Sequence, residues 1–275
     1  MPTMLRTSAA LALVMLLVGC AGPQVDESSA SPSVTTPSAS GSETPFIVTT
    51  TEPAKQVDPD SAVQPYEFEG VRFSVARLDL SQWDIRVVWD GEKGGTYLGE
   101  VDGDVLTNAG IFTPSYVPGG LLVSDGQQLV PLNLNGGEGN FHLLPNGVFA
   151  IMDDGTAEVV DSMDYSPDGV MQATQSGPAL VLDGVIHPAF TAGSTNVAFR
   201  SGVGVSADGR TVYLAISDDL VNFDTFARMF RDGLGASSAL YLDGQISGLW
   251  AAGAGRDIDL LLQPYAGIIA ATRKG

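Results

Sequence analysis

Residues 235–248 (GASSALYLDGQISG) contain the stretch that decides the fold. Small residues lead into the apolar run 239–242, in which the hydroxyl of Tyr241 is the one polar side-chain group. Such a run predicts a strand that is buried on both faces. The strand delivers Asp243, and Gly244 after it lets another group approach the backbone closely. Because Asp-Gly is also the strongest short-range hairpin signal, two interpretations stay open: a carboxylate in a cleft or a plain turn.

Short apolar runs separated by turn signals make up the rest of the chain after residue 65. The dipeptides between successive runs are Asp125-Gly126, Asn146-Gly147, Asp154-Gly155, Asp183-Gly184 and Asp208-Gly209. One segment has helical spacing instead, with Asn222 to cap its start, Gly233 to end it and an apolar stripe formed by Phe223, Phe226, Ala227, Phe230 and Leu234. We therefore expect residues 65–275 to form one α+β (mixed α/β) domain, dominated by sheet with a few helices.

The first 20 residues have the pattern of an export signal. Arg6 precedes an apolar run at residues 8–19 that is short for a bilayer span and ends at Cys20. Residues 17–20 (LVGC) resemble a bacterial lipobox, whose cysteine carries the lipid, such as palmitate; an ordinary cleaved signal or a buried helix is the alternative. We expect residues 1–20 to be a lipoprotein signal peptide. The protein would then be exported and anchored to a bacterial membrane by a lipid on Cys20.

Composition restricts the possible ligands. Residues 21–64 are rich in Ser, Thr and Pro, which predicts a disordered tether because such a segment buries little apolar surface. The chain has 32 acidic and 13 basic residues, a formal net charge of −19, which argues against nucleic acid or an anionic lipid surface as the main ligand. Cys20 is the sole cysteine, so an internal disulfide and thiol catalysis elsewhere are excluded.

Four motifs of this domain are similar, in their order, to those of the phosphodiester glycosidase family. They are Asn108-Ala109-Gly110-Ile111-Phe112, Gln175-Ser176-Gly177-Pro178, Arg200-Ser201-Gly202-Val203-Gly204 and residues 239–247. The resemblance covers residues 66–275 and is strongest to a bacterial branch that shares the patterns at 140–141 and 145–149. The animal member removes N-acetylglucosamine from a phosphodiester. Animal sequences have Asn-Gly-Gly-Phe-Phe in the first motif and three glycines after the aspartate. Because of these differences, the resemblance implies the fold but not the family's substrate specificity.

The resemblance implies a hydrolase that cleaves a sugar from a sugar-1-phosphodiester of envelope or environmental glycans. The reaction places positive charge on the sugar ring and negative charge on the departing phosphate. Glycosidases usually use two carboxyl groups, about 5–5.5 Å apart in retaining enzymes and about 6.5–9.5 Å apart in inverting ones. Because a phosphate leaving group needs little protonation, one carboxylate and one cation could suffice.

Asp243 and Arg200 are the principal catalytic candidates. Asp243 is the expected nucleophile or base, and the planar guanidinium of Arg200 matches two phosphate oxygens. Glu138, in a Gly-rich loop, or Asp183 could supply a second carboxylate, and His187 has a suitable pKa for proton transfer. Each has a structural alternative: Arg200 could pair with a buried carboxylate, Glu138 could be a solvated loop residue, and His187 could serve packing.

Substrate contacts are expected in the same motifs, at Asn108, Gly110, Ser176, Gly177 and Gly244. Asn108 could bind a sugar hydroxyl or phosphate oxygen, or hold a turn; His142 is expected to be structural. No cofactor and no metal ligand are predicted, since no His-Glu-x-x-His or EF-hand pattern occurs; a divalent cation stays open without a motif to support it. The expected partners are a carbohydrate or glycosyl phosphate and, through Cys20, the membrane, but no nucleic acid.

Two other interpretations compete with the hydrolase. One is a non-catalytic lipoprotein that binds a glycan or assists assembly of the cell envelope. The other is a purely structural lipoprotein, which predicts no pocket where Asn108, Arg200 and Asp243 meet. The hydrolase hypothesis requires these three residues, far apart in the chain, to converge.

Overall fold

The chain folds mainly into antiparallel sheet, and the computed structural model describes residues 57–244, 246–254 and 259–275. The predicted signal peptide with Cys20 and most of the predicted tether lie outside these residues. The described elements are β1 (Val63–Phe68), β2 (Val71–Asp79), β3 (Trp83–Val88), β4 (Val105–Asn108), β5 (Leu122–Ser124), β6 (Gln127–Val130), β7 (Gly147–Met152), β8 (Ala157–Asp161), β9 (Val170–Ser176), β10 (Ala179–Leu182), β11 (Val185–Ile186), β12 (Ser201–Val205), β13 (Thr211–Ser217), α1 (Phe223–Arg228), β14 (Ser238–Asp243), β15 (Leu249–Ala251), α2 (Asp259–Leu262) and β16 (Ile268–Arg273).

The strands form three sheets. Sheet A has the order β1-β2-β13-β12-β14-β10-β11, sheet B the order β15-β4-β16-β3, and sheet C the order β6-β5-β9-β7-β8. The predicted dominance of sheet is confirmed. The helical share is smaller than the α+β prediction implies, because α1 has six residues and α2 four.

Turn chemistry correctly places most of the hairpins. Asp125-Gly126, Asp154-Gly155, Asp183-Gly184 and Asp208-Gly209 each join two consecutive strands that pair with one another. At Asp125-Gly126 and Asp183-Gly184 both residues have positive φ, as the tightest hairpin turns require.

The predicted turn at Asn146-Gly147 is wrong, because Gly147 is the first residue of β7. The Asn146 side chain is buried, donates to the carbonyl of Phe141 at 2.8 Å and accepts a hydrogen bond from Ser162. These hydrogen bonds of the Asn146 amide therefore join the start of β7 to neighbouring segments, and the chain does not form a turn here.

Sheet A is packed on both faces. One face meets residues of sheets B and C in a shared core that includes Leu78, Val87 and Phe149, all without solvent exposure. The other face is covered by α1 and the π-helical turn Met229–Gly233 that continues it. Asn222 caps α1, accepting a hydrogen bond from the Thr225 N–H at 2.8 Å, so the predicted helix start is confirmed.

The glycines of β12 make room for the aromatic stripe of the helix. A Cβ atom at Gly204 would lie 2.6 Å from Cδ1 of Phe230, and one at Gly202 would lie 3.0 Å from Cε2 of the same ring. Val203 and Val205, which alternate with them, face the shared core. The alternation in this motif is therefore a packing requirement of sheet A against α1 and the π-helical turn that continues it.

We predict that Gly204→Ala lowers the free energy of unfolding by about 1–3 kcal/mol, because the new methyl group overpacks the Phe230 ring. Urea denaturation of the full chain measures the change. Gly136→Ala is the matched control, since a Cβ there meets no atom within 4 Å. Equal stability of the two variants would contradict this account of β12.

Candidate functional site

The candidate site is built around the end of β14, a strand that lies between β12 and β10 in sheet A. The predicted burial of residues 239–242 is confirmed, Ser238 before them is also buried, and Asp243 is the first residue of the strand with partial exposure. The chain then leaves the sheet, because β15 pairs with β4 in sheet B. The hairpin interpretation of Asp243-Gly244 is therefore wrong, and the carboxylate lies at the exit of a buried strand.

Asp243 faces a cavity of about 490 Å³. A bulge precedes this point: Ser201 pairs with Asp243 and Gly202 with Tyr241, so β14 has one extra residue opposite β12. Bulges of this kind redirect side chains at sheet ends. The cavity is lined by residues of four segments: Ile111, Phe112, Thr113 and Gly119; Asn133; Glu138, Gly139, Asn140, Phe141 and His142; and Tyr241, Asp243, Gly244 and Ile246.

The Asp243 carboxyl has an unusual protonation equilibrium. Burial raises its pKa from 3.8 to about 6, although the Gly244 N–H, which donates to Oδ1 at 2.6 Å, opposes the shift. No described Lys or Arg forms a salt bridge with this carboxyl. A carboxyl group that exchanges its proton near neutral pH inside a cavity has the properties of a catalytic acid, base or nucleophile.

Tyr241 lines the cavity beside Asp243, and the sequence interpretation missed it as a functional residue. Burial and the nearby Asp243 charge raise the pKa of its hydroxyl to about 12, while Arg200 and Asn140 favour the ionised form. A Cβ at Gly244 would lie 2.8 Å from this hydroxyl, which explains the glycine after Asp243. The available signal was its place in the strand, as the lone polar group two residues before the carboxylate.

Arg200 lies behind Tyr241 and outside the cavity lining. Its side chain donates from Nε to the carbonyl of Val221 at 2.9 Å and from Nη2 to that of Asn196 at 3.4 Å. The guanidinium carbon lies 3.5 Å from the ring centroid of Phe223 and 5.7 Å from that of Tyr241. Burial lowers the pKa of the guanidinium, which nevertheless stays charged in a protein. None of its contacts with the described residues is a carboxylate, so the predicted structural alternative of a buried ion pair is not found there.

Asn108 also lies beneath the cavity. At the end of β4, its Oδ1 accepts from the Gly248 N–H at 3.1 Å and from the Ser201 hydroxyl at 3.2 Å. Ser201 in turn lies 3.4 Å from the Asp243 carbonyl and accepts from the Ser247 hydroxyl at 2.8 Å. Asn108 and Asp243 therefore meet at Ser201, whereas the side chain of Arg200, the preceding residue, faces Phe223. The hydrolase hypothesis expected all three side chains at one cavity, but Asp243 alone of these three lines it.

The remaining predicted substrate contacts of the second and first motifs pack behind the site. The Ser176 hydroxyl donates to the carbonyl of Leu242 at 3.1 Å and accepts from the Ile111 N–H at 3.2 Å. A Cβ at Gly110 would collide with the carbonyl of Gln175, and one at Gly177 would lie 2.6 Å from the carbonyl of Phe141. These residues hold neighbouring backbones together, so their contribution to the site is to position its walls.

The other catalytic candidates lie in three different places. Glu138 lines the cavity with Asp243. Asp183 lies in the β10–β11 turn beside Ser238, at the opposite end of β14 from Asp243. His187 is buried, which lowers the pKa of its imidazole, and its ring stacks on Phe190 with centroids 4.7 Å apart. Neither Asp183 nor His187 lines the cavity.

His142, expected to be structural, does line the cavity. Its Nδ1 lies 2.9 Å from the carbonyl of Asn135, which fixes the ring orientation in the loop that carries Glu138. Asn140, on the same short helical turn Asn140–His142, also lines it. In the described part of the chain no group of three or more His, Cys, Asp or Glu side chains is placed to hold a metal ion. No helix within those ranges is long and apolar enough to cross a membrane.

The amino-acid sequence of this chain matches a known protein family. The sequence model described as phosphodiester glycosidase matches residues 102–266. This chain belongs to the phosphodiester glycosidase family. The uncharacterized protein YigE of Escherichia coli (strain K12) is 35% identical over 202 residues, covering 70% of this chain and 78% of that protein.

Solved structures similar to this phosphodiester glycosidase domain show the same fold. The catalytic domain of zebrafish N-acetylglucosamine-1-phosphodiester alpha-N-acetylglucosaminidase, auto-inhibited by its pro-peptide, matches with a TM-score of 0.55 at 16% identity, covering 77% of this chain and 82% of that one. A putative exported protein from Burkholderia pseudomallei K96243 matches with a TM-score of 0.50 at 13% identity, covering 74% of each chain. At these identities the likeness concerns the fold.

We predict that Asp243→Asn stabilises the protein in a pH-dependent way. The wild-type carboxyl binds its proton more tightly in the folded state, so stability falls as pH rises from about 4 to about 6 and the loss is complete above that. The shift of about two pKa units corresponds to up to about 3 kcal/mol. The variant should therefore match wild type at pH 4 and exceed its free energy of unfolding at pH 8.

Chemical denaturation at both pH values measures this effect. Asp183→Asn, the same change at the other end of β14, serves as the control and should follow the wild-type pH profile. An Asp243→Asn variant that gains nothing at pH 8 relative to pH 4 would show that the carboxyl is not destabilised by burial.

Proposed function

We propose that this phosphodiester glycosidase hydrolyses a sugar-1-phosphodiester of the cell envelope or of environmental glycans at the Asp243 cavity. The observation that carries the proposal is the partly buried carboxyl of Asp243, which lines a cavity beside Tyr241 with the charged Arg200 behind it. The family and the fold supply independent support. The cavity also offers an amide and a second carboxyl group, on Asn140 and Glu138.

In the proposed reaction the bond between the anomeric carbon and the phosphate oxygen breaks, and the phosphomonoester departs with the electron pair. The oxygen of a water molecule ends on the anomeric carbon. Asp243 acts as carboxylate, either attacking the anomeric carbon or removing a proton from the water. Glu138 is the second carboxyl group of the cavity. Little protonation of the leaving phosphate is needed, so this scheme works without a strong general acid.

A screen with nucleotide sugars and glycosyl phosphodiesters, each with and without a chelator, tests the proposal. We expect release of free sugar and of a phosphomonoester. Asp243→Asn should reduce kcat/KM by about 10²–10⁴-fold, the usual range for a positioned acid or base. Asp183→Asn should retain wild-type kinetics. An Asp243→Asn enzyme with wild-type turnover would refute the assignment, and binding of these compounds without any product would favour a glycan-binding module.

The pH profile gives a further prediction for the same site. Because Asp243 must be ionised to act, and its pKa is about 6, kcat/KM should fall as pH is lowered through this value. Initial rates between pH 4.5 and 8.5 measure the profile on the substrate found in the screen. A rate that rises on acidification would assign Asp243 the role of an acid instead.

We also propose that the protein is exported and anchored to a bacterial membrane by a lipid on Cys20, through the Ser/Thr/Pro-rich segment at residues 21–64. The lipobox-like residues 17–20 support this placement. Metabolic labelling with an alkyne analogue of palmitate and membrane fractionation test it. Cys20→Ser should abolish the label and release the protein from the membrane fraction. A Cys20→Ser protein that stays with the membrane would contradict lipid anchoring.

A further inference from the structure

The cavity has the wrong charge for a phosphodiester if its lining residues alone are considered. None of the described lining residues is Lys or Arg, whereas Asp243 and Glu138 are acidic. A phosphodiester carries a negative charge of its own and needs a cation or strong hydrogen-bond donors in a site of this kind. The positive charge adjacent to the wall is that of Arg200, whose guanidinium carbon lies 5.7 Å from the Tyr241 ring centroid.

Arg200 is held in place by a stack of rings. His187 stacks on Phe190 with centroids 4.7 Å apart, and Phe190 stacks on Phe223 at 4.9 Å with an angle of 5° between the planes. The Arg200 guanidinium covers the Phe223 ring at 3.5 Å, and Nε is bonded to the Val221 carbonyl. To reach the cavity directly, the guanidinium would have to break the cation–π contact and this hydrogen bond, so it stays behind the wall.

Tyr241 connects this buried charge to the cavity. Its ring packs edge-on against Phe223, with centroids 5.0 Å apart and 78° between the planes, and its hydroxyl lies where a side chain at residue 244 would otherwise be. Both Arg200 and Asn140 interact favourably with the phenolic oxygen. Because the pKa of this hydroxyl is about 12, it keeps its proton at neutral pH and can donate it in a hydrogen bond.

We propose that Tyr241 is the phosphate-binding residue of the site: its hydroxyl, polarised by the Arg200 guanidinium, donates a hydrogen bond to the phosphodiester and then to the departing phosphomonoester. This inference rests on the proposed function. The proton stays on the tyrosine throughout, and the hydrogen bond strengthens as negative charge accumulates on the leaving oxygen. Arg200 and the His187–Phe190–Phe223 stack act through Tyr241 and are positioning residues.

Tyr241→Phe tests the inference, because it removes the hydroxyl and leaves the ring that packs against Phe223. On the phosphodiester substrate we expect kcat/KM to fall about 10²-fold, the loss found when one preorganised donor is removed. Product inhibition gives a second readout: the phosphomonoester product should bind about 10-fold more weakly to the variant, while binding of the free sugar stays unchanged. Tyr213→Phe, on β13 of the same sheet and outside the cavity lining, is the matched control and should behave as wild type in both assays.

A pair of variants tests the link to Arg200. Arg200→Lys keeps a positive charge but loses the planar group, and it should weaken phosphomonoester binding; combined with Tyr241→Phe it should add little further loss. Circular dichroism confirms that each variant is folded.

If Tyr241→Phe keeps wild-type kcat/KM and phosphomonoester affinity while Asp243→Asn is inactive, this inference fails and the proposed function stands. If wild type releases no product, the proposed function fails, and unchanged phosphomonoester affinity in Tyr241→Phe overturns the inference as well.

Discussion

Burial of the Asp243 carboxyl without an ion pair to any described cation is the constraint on which the site depends. A charged carboxylate in this position costs stability, so the fold must hold it there. It does so by placing Asp243 at the end of a strand that is paired on both sides, with the Gly244 N–H as the donor to Oδ1. The result is a carboxyl group with a pKa of about 6, which suits proton transfer near neutrality.

The family motifs support this strand more than they contact the cavity. Gly202 and Gly204 let the helix rings pack on β12, Gly177 lets two backbones approach, and Asn108 joins sheet B to the end of β14 through Ser201. Segments that are distant in sequence thereby meet behind one carboxylate. The motif residues thus act chiefly by positioning Asp243 and Tyr241, which line the cavity themselves.

The local sequence correctly predicted those features of the fold that depend on short-range interactions. Turn dipeptides with positive φ located the hairpins, the apolar run 239–242 located a doubly buried strand, and Asn222 located the helix start. The turn prediction at Asn146-Gly147 was wrong because the Asn146 amide makes a buried hydrogen bond to Phe141, which the local sequence does not indicate. Whether the chain forms a hairpin at Asp243-Gly244 or leaves the sheet there depends on which strand β15 pairs with, and this pairing is a tertiary property.

The site was predictable only in part for the same reason. Asp243 and Glu138 were identified by their chemistry and both line the cavity, but Arg200 packs on an aromatic stack whose members come from two other segments of the chain. Tyr241 looked like a core residue because its neighbours are apolar, and its position between Arg200 and Asp243 follows from the packing of α1 on sheet A. Long-range packing therefore decides which side chains reach the substrate.

Hydrolysis in H₂¹⁸O, followed by ³¹P NMR of the phosphomonoester product, tests the central claim most directly. Attack at the anomeric carbon breaks the bond between carbon and oxygen, so the account predicts a phosphomonoester without ¹⁸O. A product whose phosphorus resonance carries the ¹⁸O isotope shift would mean attack at phosphorus, and it would contradict a glycosidase centred on Asp243.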